Sequence, residues 1–349
     1  MLMSDYKKIK RNRKRTLLIV EGNHEKNVLF YLIFKCFPEL NINKDDVWIY
    51  STNIYQLYNN IIEEYGVECF DQNDDIDLPF VVSKKLKLSP ICRKKDFTNI
   101  LLVFDYERQD PEFSEHKIMQ MQKTFYDMAE MGMLYINYPM IESYRHINAW
   151  KDEEYVERKY RASLKRGSEY KNLVKQESIL SFIFDFAKRI DDLLHEHYGI
   201  EKDMVRAEYV DYILSAKSDE ELLECIEKQI LVGPVENRHA LKGQIIDWVH
   251  RVGYLQYSQT YYERLRDIFI QIIRYNITKS VYIQSGGTKR INENYREAYN
   301  QINYEKLLAI QNETSRNARE GFIWVLNTCV FIVAEYKFGI IEDQIKDNR

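Results

Sequence analysis

Carboxylates recur in this chain at the ends of short apolar runs. Leu17-Leu18-Ile19-Val20 delivers Glu21-Gly22, and Leu101-Leu102-Val103-Phe104 delivers Asp105-Tyr106-Glu107. A third run, Ile136-Asn137-Tyr138, passes through Pro139-Met140-Ile141 to Glu142. Acids at the carboxyl ends of parallel strands stand at the edge where α/β proteins collect ligands and catalytic groups. Several of them at one edge repel each other unless a divalent cation lies between them. Glu25 follows Glu21 by four, a spacing that turns both side chains toward one point at the start of a helix. Asp105 and Glu107 are two apart and share one side of an extended backbone. Asp110 joins them if the chain turns at Gln109-Asp110-Pro111. Hard oxygen ligands of this kind suit Mg2+ or Mn2+ and the phosphoryl-transfer chemistry those ions support.

The elements that would position these acids follow from periodicity. Continuous apolar runs predict strands over 16–20, 47–51, 99–104 and 133–138. Helical spacing predicts helices over 24–37, 54–65 and 112–131. Strand and helix in alternation imply α/β architecture, a mainly parallel sheet flanked by helices with right-handed crossovers. Residues 67–98 read as an irregular insert. Asp71, Asn73 and Asp75 have the opening spacing of a calcium loop, but Ile76 takes the glycine position and Val82 the place of the bidentate Glu. Beyond residue 150 the pattern is helical, over 178–198, 219–230, 240–252, 261–275 and 321–338. The expected organisation is therefore a catalytic domain over 1–150 and a mostly helical C-terminal domain over 151–349.

Composition narrows the function further. A net charge of −4 over 349 residues excludes a global attraction to nucleic acid, so such a partner needs a local basic patch. Two stretches offer one: a basic arm before the first strand that includes Arg13, Lys14 and Arg15, and a segment with Lys84, Lys85, Lys87, Arg93, Lys94 and Lys95. Arg145 and His146 follow Glu142 by three and four and could face a phosphate beside it. Five scattered cysteines without a CxxC pair suit reduced thiols rather than disulfides or a zinc site. There is no GxxxxGK[ST] phosphate loop, GxSxG elbow or HExxH helix. His195-Glu196-His197 diverge on a helix. The late apolar stretch 322–341 is interrupted by Asn327, Glu335 and Lys337, so a buried helix is expected rather than a membrane span, and the expected location is cytoplasmic.

Glu21-Gly22 at one strand end and Asp105-Tyr106-Glu107 at another resemble the Toprim catalytic domain. Its pattern is a strand ending in Glu-Gly and a later strand ending in Asp-x-Asp. Glu25, four residues after Glu21, and the Pro139-Met140-Ile141-Glu142 element look like the nuclease branch of that family. That branch comprises the overcoming-lysogenization-defect and RloB-like proteins of phage-defence loci. The resemblance covers about residues 14–150. Glu107 replaces the second Asp, and no Asp-x-Asp-x-x-Gly is present.

The resemblance implies a Mg2+- or Mn2+-dependent endonuclease with Glu21, Asp105 and Glu107 catalytic. Glu21, Glu25, Asp105, Glu107, Asp110 and Glu142 would surround the metal. The implied substrate is DNA or a structured RNA such as tRNA. The implied setting is antiphage defence, with ATP-driven sensing in a separate partner protein and the helical half available for homodimerisation. The competing expectation is a non-catalytic binding module that works with such a sensor. A primase or topoisomerase fits less well, for lack of a zinc-binding cysteine set and of any Tyr that stands out among 27.

Overall fold

The computed structural model describes residues 15–71, 75–162, 167–198, 204–231, 237–291, 293–317 and 319–342. β1 (Thr16–Val20) leads through a π-helical turn at Glu25–Leu29 into α1 (Phe30–Cys36). Then come β2 (Val47–Ile49), α2 (Ile54–Tyr65), α3 (Leu78–Lys85), β3 (Asn99–Asp105), α4 (Glu115–Thr124), β4 (Tyr126–Asp127) and β5 (Gly132–Asn137). β6 (Lys159–Arg161) precedes a run of helices: α5 (Gly167–Glu177), α6 (Ser181–Phe184), α7 (Phe186–Tyr198), α8 (Met204–Ser215), α9 (Asp219–Cys225) and α10 (Arg238–Val252). The chain closes with α11 (Tyr261–Gln284), α12 (Tyr295–Asn300), α13 (Tyr304–Ser315), β7 (Phe322–Trp324) and α14 (Phe331–Lys337).

The main sheet has the order β2-β1-β3-β5-β4, parallel except for β4. β1, β3 and β5 are buried on both faces, so they read as apolar runs rather than alternating ones. Leu18, Val20, Leu101, Val103, Met133 and Tyr135 pack on the α1 side. Leu17, Ile19, Ile100, Leu102, Phe104, Leu134 and Ile136 pack on the α2 and α4 side. The connection from β1 leaves to one side of the sheet, and that from β2 returns across it to β3. The carboxyl ends of β1 and β3 therefore flank a topological switch point, where an open α/β sheet leaves a crevice.

The α/β class and the helical C-terminal region are as expected, and α2 starts and stops where Asn53 and Gly66 cap it. Four local expectations are corrected. The helix expected over 112–131 stops at Thr124, because Phe125 leaves the helical backbone (φ −102°, ψ 75°) and Tyr126 then pairs with Met133 as a short edge strand. Residues 321–338 are not one helix. Phe322–Trp324 pairs antiparallel with β6, and buried Asn327 accepts the Val330 N–H ahead of α14. The insert 67–98 holds a full helix, α3, capped by Asp77. The helix expected over 261–275 runs on to Gln284, because Asn276 and Lys279 are buried on tertiary partners.

The boundary expected at residue 150 does not divide the core. One cluster joins Leu18 and Val20 of β1, Leu29 and Phe30 beside α1, Leu265, Phe269 and Ile272 of α11, and Phe331 and Val333 of α14. Leu326 also exchanges backbone hydrogen bonds with Tyr138, just past β5 (2.9 and 2.8 Å). Among the described residues no helix is long and apolar enough to cross a membrane.

Candidate active site at the carboxyl edge of the sheet

Glu21 stands one residue past β1, and its Oε2 accepts the N–H of Asp105 across the switch point (3.2 Å). Asp105, the last residue of β3, is 4 % exposed and pairs in register with Asn137 of β5. Glu25 opens the π-helical turn and folds back, its Oε2 accepting the Gly22 N–H at 3.0 Å. A Cβ on Gly22 would stand 3.0 Å from that same oxygen, so only glycine leaves the carboxylate unhindered there. Glu107 has φ 40°, a left-handed conformation that costs a non-glycine residue about 1–2 kcal/mol. Its neighbours hold it there: the Tyr106 hydroxyl donates to Asn312 Oδ1 (2.8 Å), Tyr55 donates to the Tyr106 carbonyl (2.9 Å), and Asp110 donates its N–H to the Glu107 carbonyl (2.9 Å). Strain of this kind concentrates at functional sites.

Glu142 is buried in a short 3-10 turn after Pro139, and its Oε1 lies 3.4 Å from Lys171 Nζ on α5. Its Oε2 is buried without a hydrogen-bond partner. Three further atoms from this neighbourhood share that condition: Asn137 Nδ2, His24 Nε2 and Arg145 Nε. Burial lifts the Asp105 carboxyl well above its ordinary range, and the charges of Glu21, Glu25, Glu142 and Glu107 push the same way. Glu21 is lifted well above by burial and by Glu107, whereas the Asp105 N–H and Lys171 oppose the rise. Glu25 and Glu107 are raised too, chiefly by burial. Burial keeps His24 on the neutral side.

The six expected metal-site carboxylates are thus linked through their charges, Asp110 through Glu107. Asp110 also has a structural role. Its two oxygens accept from Asn53 Nδ2 (2.9 Å) and the Glu112 N–H (2.7 Å), which braces the turn under Glu107. As placed, the acids are held apart by backbone N–H groups and by Lys171. Among the described residues no three His, Cys, Asp or Glu side chains are grouped to hold an ion. The donor chemistry nevertheless fits a hard divalent cation, since every candidate ligand is a carboxylate and Glu142 keeps a buried oxygen unpartnered.

The expected nucleic-acid contacts lie elsewhere. Arg13 and Lys14 are outside the described residues. Arg15 precedes β1 and binds Asp46, with its guanidinium 4.7 Å from the Phe97 ring. Lys84 pairs with Glu64, Arg93 with Asp77 (3.7 Å) and Lys94 with Asp75 (2.7 Å), while Lys85 and Lys95 are exposed. Arg15 and the 93–97 segment sit at the amino ends of β1 and β3, roughly 20 Å of strand away from the carboxylates. They cannot steer a phosphate directly into that edge, and their acidic partners cancel much of their charge. Arg145 is 3 % exposed and paired with Asp185 (2.9 Å), so it is an interior group beside the site and not a surface contact.

Sequence patterns missed Lys171, Asn137 and Cys329. Lys171 lies in the helical half, with no motif around it. Asn137 was legible only as a polar residue inside an apolar strand run. Cys329 donates its N–H to Asn137 Oδ1 (3.3 Å) and stands near enough to Asp105 and Glu25 for their charges to raise its thiol pKa beyond the effect of burial. Fold and site together define an α/β protein with buried carboxylates at the switch point of its sheet. Comparison with family models, curated proteins and solved structures returns no match.

Proposed function

We propose that the chain is a Toprim-type, Mg2+- or Mn2+-dependent nuclease that hydrolyses phosphodiester bonds in DNA or a structured RNA such as tRNA. The observation that carries this reading is that Glu21, Glu25, Asp105, Glu107 and Glu142 feel one another's charge at a switch point, where burial raises the pKa of the first four. Carboxylates kept together at such cost call for a cationic counterpart. Glu21, Asp105 and Glu107 would hold the ion, with Glu25 and Glu142 completing the set. The ion supplies Lewis acidity and lowers the pKa of water at the site. Lys171 faces the same carboxylates and can neutralise a phosphate oxygen drawn in beside them. His24, its Nε2 buried without a partner, feels the charge of Glu142 in the same neighbourhood. An effector role in antiphage defence, in the cytoplasm and under a separate ATPase sensor, is the setting that the Toprim resemblance suggests.

A second reading, a non-catalytic binding module, is favoured by Glu21 and Glu25 each being tied to a backbone N–H group. One experiment separates the two. Purified protein is incubated with plasmid DNA and with total tRNA in Mg2+, Mn2+ or EDTA, beside Asp105→Asn and Glu107→Ala checked for intact circular dichroism. The nuclease reading expects metal-dependent cleavage that falls about a hundredfold or more in either variant. Cleavage that persists in EDTA or survives both changes would overturn it, and metal-independent binding without cleavage would support the module.

A further inference from the structure

A cleft of about 530 Å³ opens between the turn after Arg145 and the start of α11. Its walls include Ile147, Trp150, Tyr257, Gln259, Arg264 and Arg274. Trp150 is 54 % exposed and Tyr257 57 % exposed. Among the described residues only four large hydrophobic side chains are more than half exposed, and two of them border this one cleft. An exposed Trp and an exposed Tyr on one cleft offer flat apolar surface that a ligand can cover.

The polar groups of the cleft are oriented and incomplete. The Arg264 guanidinium lies 4.3 Å from the Tyr257 ring centre and 5.1 Å from that of Trp150. Gln259 Nε2 donates to Asp267 at 2.7 Å, which fixes the amide and turns its oxygen into an acceptor. That Oε1 is buried with no partner, and so are Arg264 Nε and Arg274 Nε. The cleft therefore combines aromatic rings, one amide oxygen without a partner and the Nε of Arg264; the Arg274 Nε also lacks a partner, although its guanidinium bonds the Ile341 carbonyl. A base stacks on aromatic faces, its N–H edge meets an amide oxygen, and its phosphate meets a guanidinium.

Position fits the same ligand. Ile147 on the cleft wall is five residues from Glu142, so the two backbones are within about 17 Å even if the chain between them were fully extended. At about 3.4 Å per stacked nucleotide, roughly five nucleotides cover that distance. We propose that the Trp150–Tyr257 cleft binds an unpaired base of the nucleic acid on which the carboxylate site acts, making single-stranded or looped segments the preferred substrate. This rests on the nuclease reading for its choice of ligand, but it makes a separate prediction about binding.

The test is fluorescence anisotropy in EDTA, where cleavage cannot intervene, with labelled single-stranded RNA and DNA and with blunt duplexes of the same length. Wild type is expected to bind at least one single strand about tenfold or more tighter than its duplex. Trp150→Ala and Tyr257→Ala should each weaken that binding about five- to 150-fold, the range for loss of one base-stacking partner. Trp150→Phe should keep most of it. Equal binding of single strand and duplex, no binding of either, or alanine variants that bind like wild type would overturn the proposal. Asp105→Asn, run alongside, keeps the two readings apart. If it binds like wild type while the wild-type protein fails to cleave with metal, the cleft stands and the nuclease reading falls.

Discussion

Asp105 is where the electrostatic tension of the site is greatest. It is buried at a strand end, with Glu21, Glu25, Glu107 and Glu142 all adding negative potential. A carboxyl whose pKa is raised on folding binds its proton more tightly in the native state than in the unfolded chain. The native state then keeps its full advantage below the ordinary carboxylate pKa and loses it as pH climbs toward the raised value. Metal-free protein should therefore melt at lower temperature at pH 8 than at pH 5.5. Mg2+ should recover stability most at the alkaline end, where the carboxylates are ionised. Asp105→Asn should flatten the pH dependence and raise the metal-free melting temperature. Scanning calorimetry in EDTA across this range decides the matter, and a melting temperature that does not fall between pH 5.5 and 8 would show that the carboxylates are stabilised by other means. Lys171 moderates the effect without cancelling it, since it contacts one carboxylate and is itself 45 % exposed at the side chain.

Helix α5 shows how an element outside the sheet is fixed at the site. His146, 2 % exposed, bonds Tyr170 through Nδ1 and Glu177 through Nε2, each at 3.0 Å, and so grips the helix on either side of Lys171. Gly167 at its start lies against Met140, where a Cβ would approach the methyl group to 2.9 Å. His146→Leu strands the buried Tyr170 hydroxyl and should cost about 2–3 kcal/mol, read as a shift in the urea midpoint. Glu177→Gln, at a half-exposed partner, should cost under about 1 kcal/mol. Equal costs for the two would mean that the helix is held by its apolar face alone.

The same contrast explains what the sequence could reveal. β1, β3 and β5 were legible because burial on both faces writes itself as a continuous apolar run, and the acids were legible because they end those runs. β4, β6 and β7 are two or three residues long and exist through their partners, so no local pattern marks them. Lys279 lies beyond the helix expected over 261–275, and its ammonium is buried on the carbonyls of Tyr155 and Arg158 (2.7 Å each). Arg145 looked like a phosphate contact because its partner, Asp185, lies 40 residues away. Side chains whose roles depend on distant chain segments are invisible to spacing rules.

At the scale of the whole molecule, the sheet cannot be separated from the helices that follow it. The α1 side of β1, β3 and β5 is covered by α11 and α14 as well as by α1. Arg266 of α11 donates to the Cys36 carbonyl at 2.6 Å, and Phe269 meets the Phe37 ring at 6.1 Å. Thr328 donates its hydroxyl to the Ile136 carbonyl at 2.9 Å, so a segment some 190 residues away closes the edge next to Asn137. A fragment comprising residues 1–150 would expose that face and leave Tyr135, Tyr144 and the neighbouring strand ends without cover. Truncation of this kind removes far more apolar burial than a domain can lose while retaining about 5–15 kcal/mol of net stability. The fragment should be insoluble, or soluble without a cooperative thermal transition and with strong ANS binding. The full chain should unfold in one transition that reports sheet and helices together. A cooperative, monomeric 1–150 fragment would contradict this and make the carboxylate edge the property of an independent domain. In the linked molecule, the helical half is a structural part of the site: it supplies Lys171 directly and seals the strand ends from which Asp105 and Asn137 project.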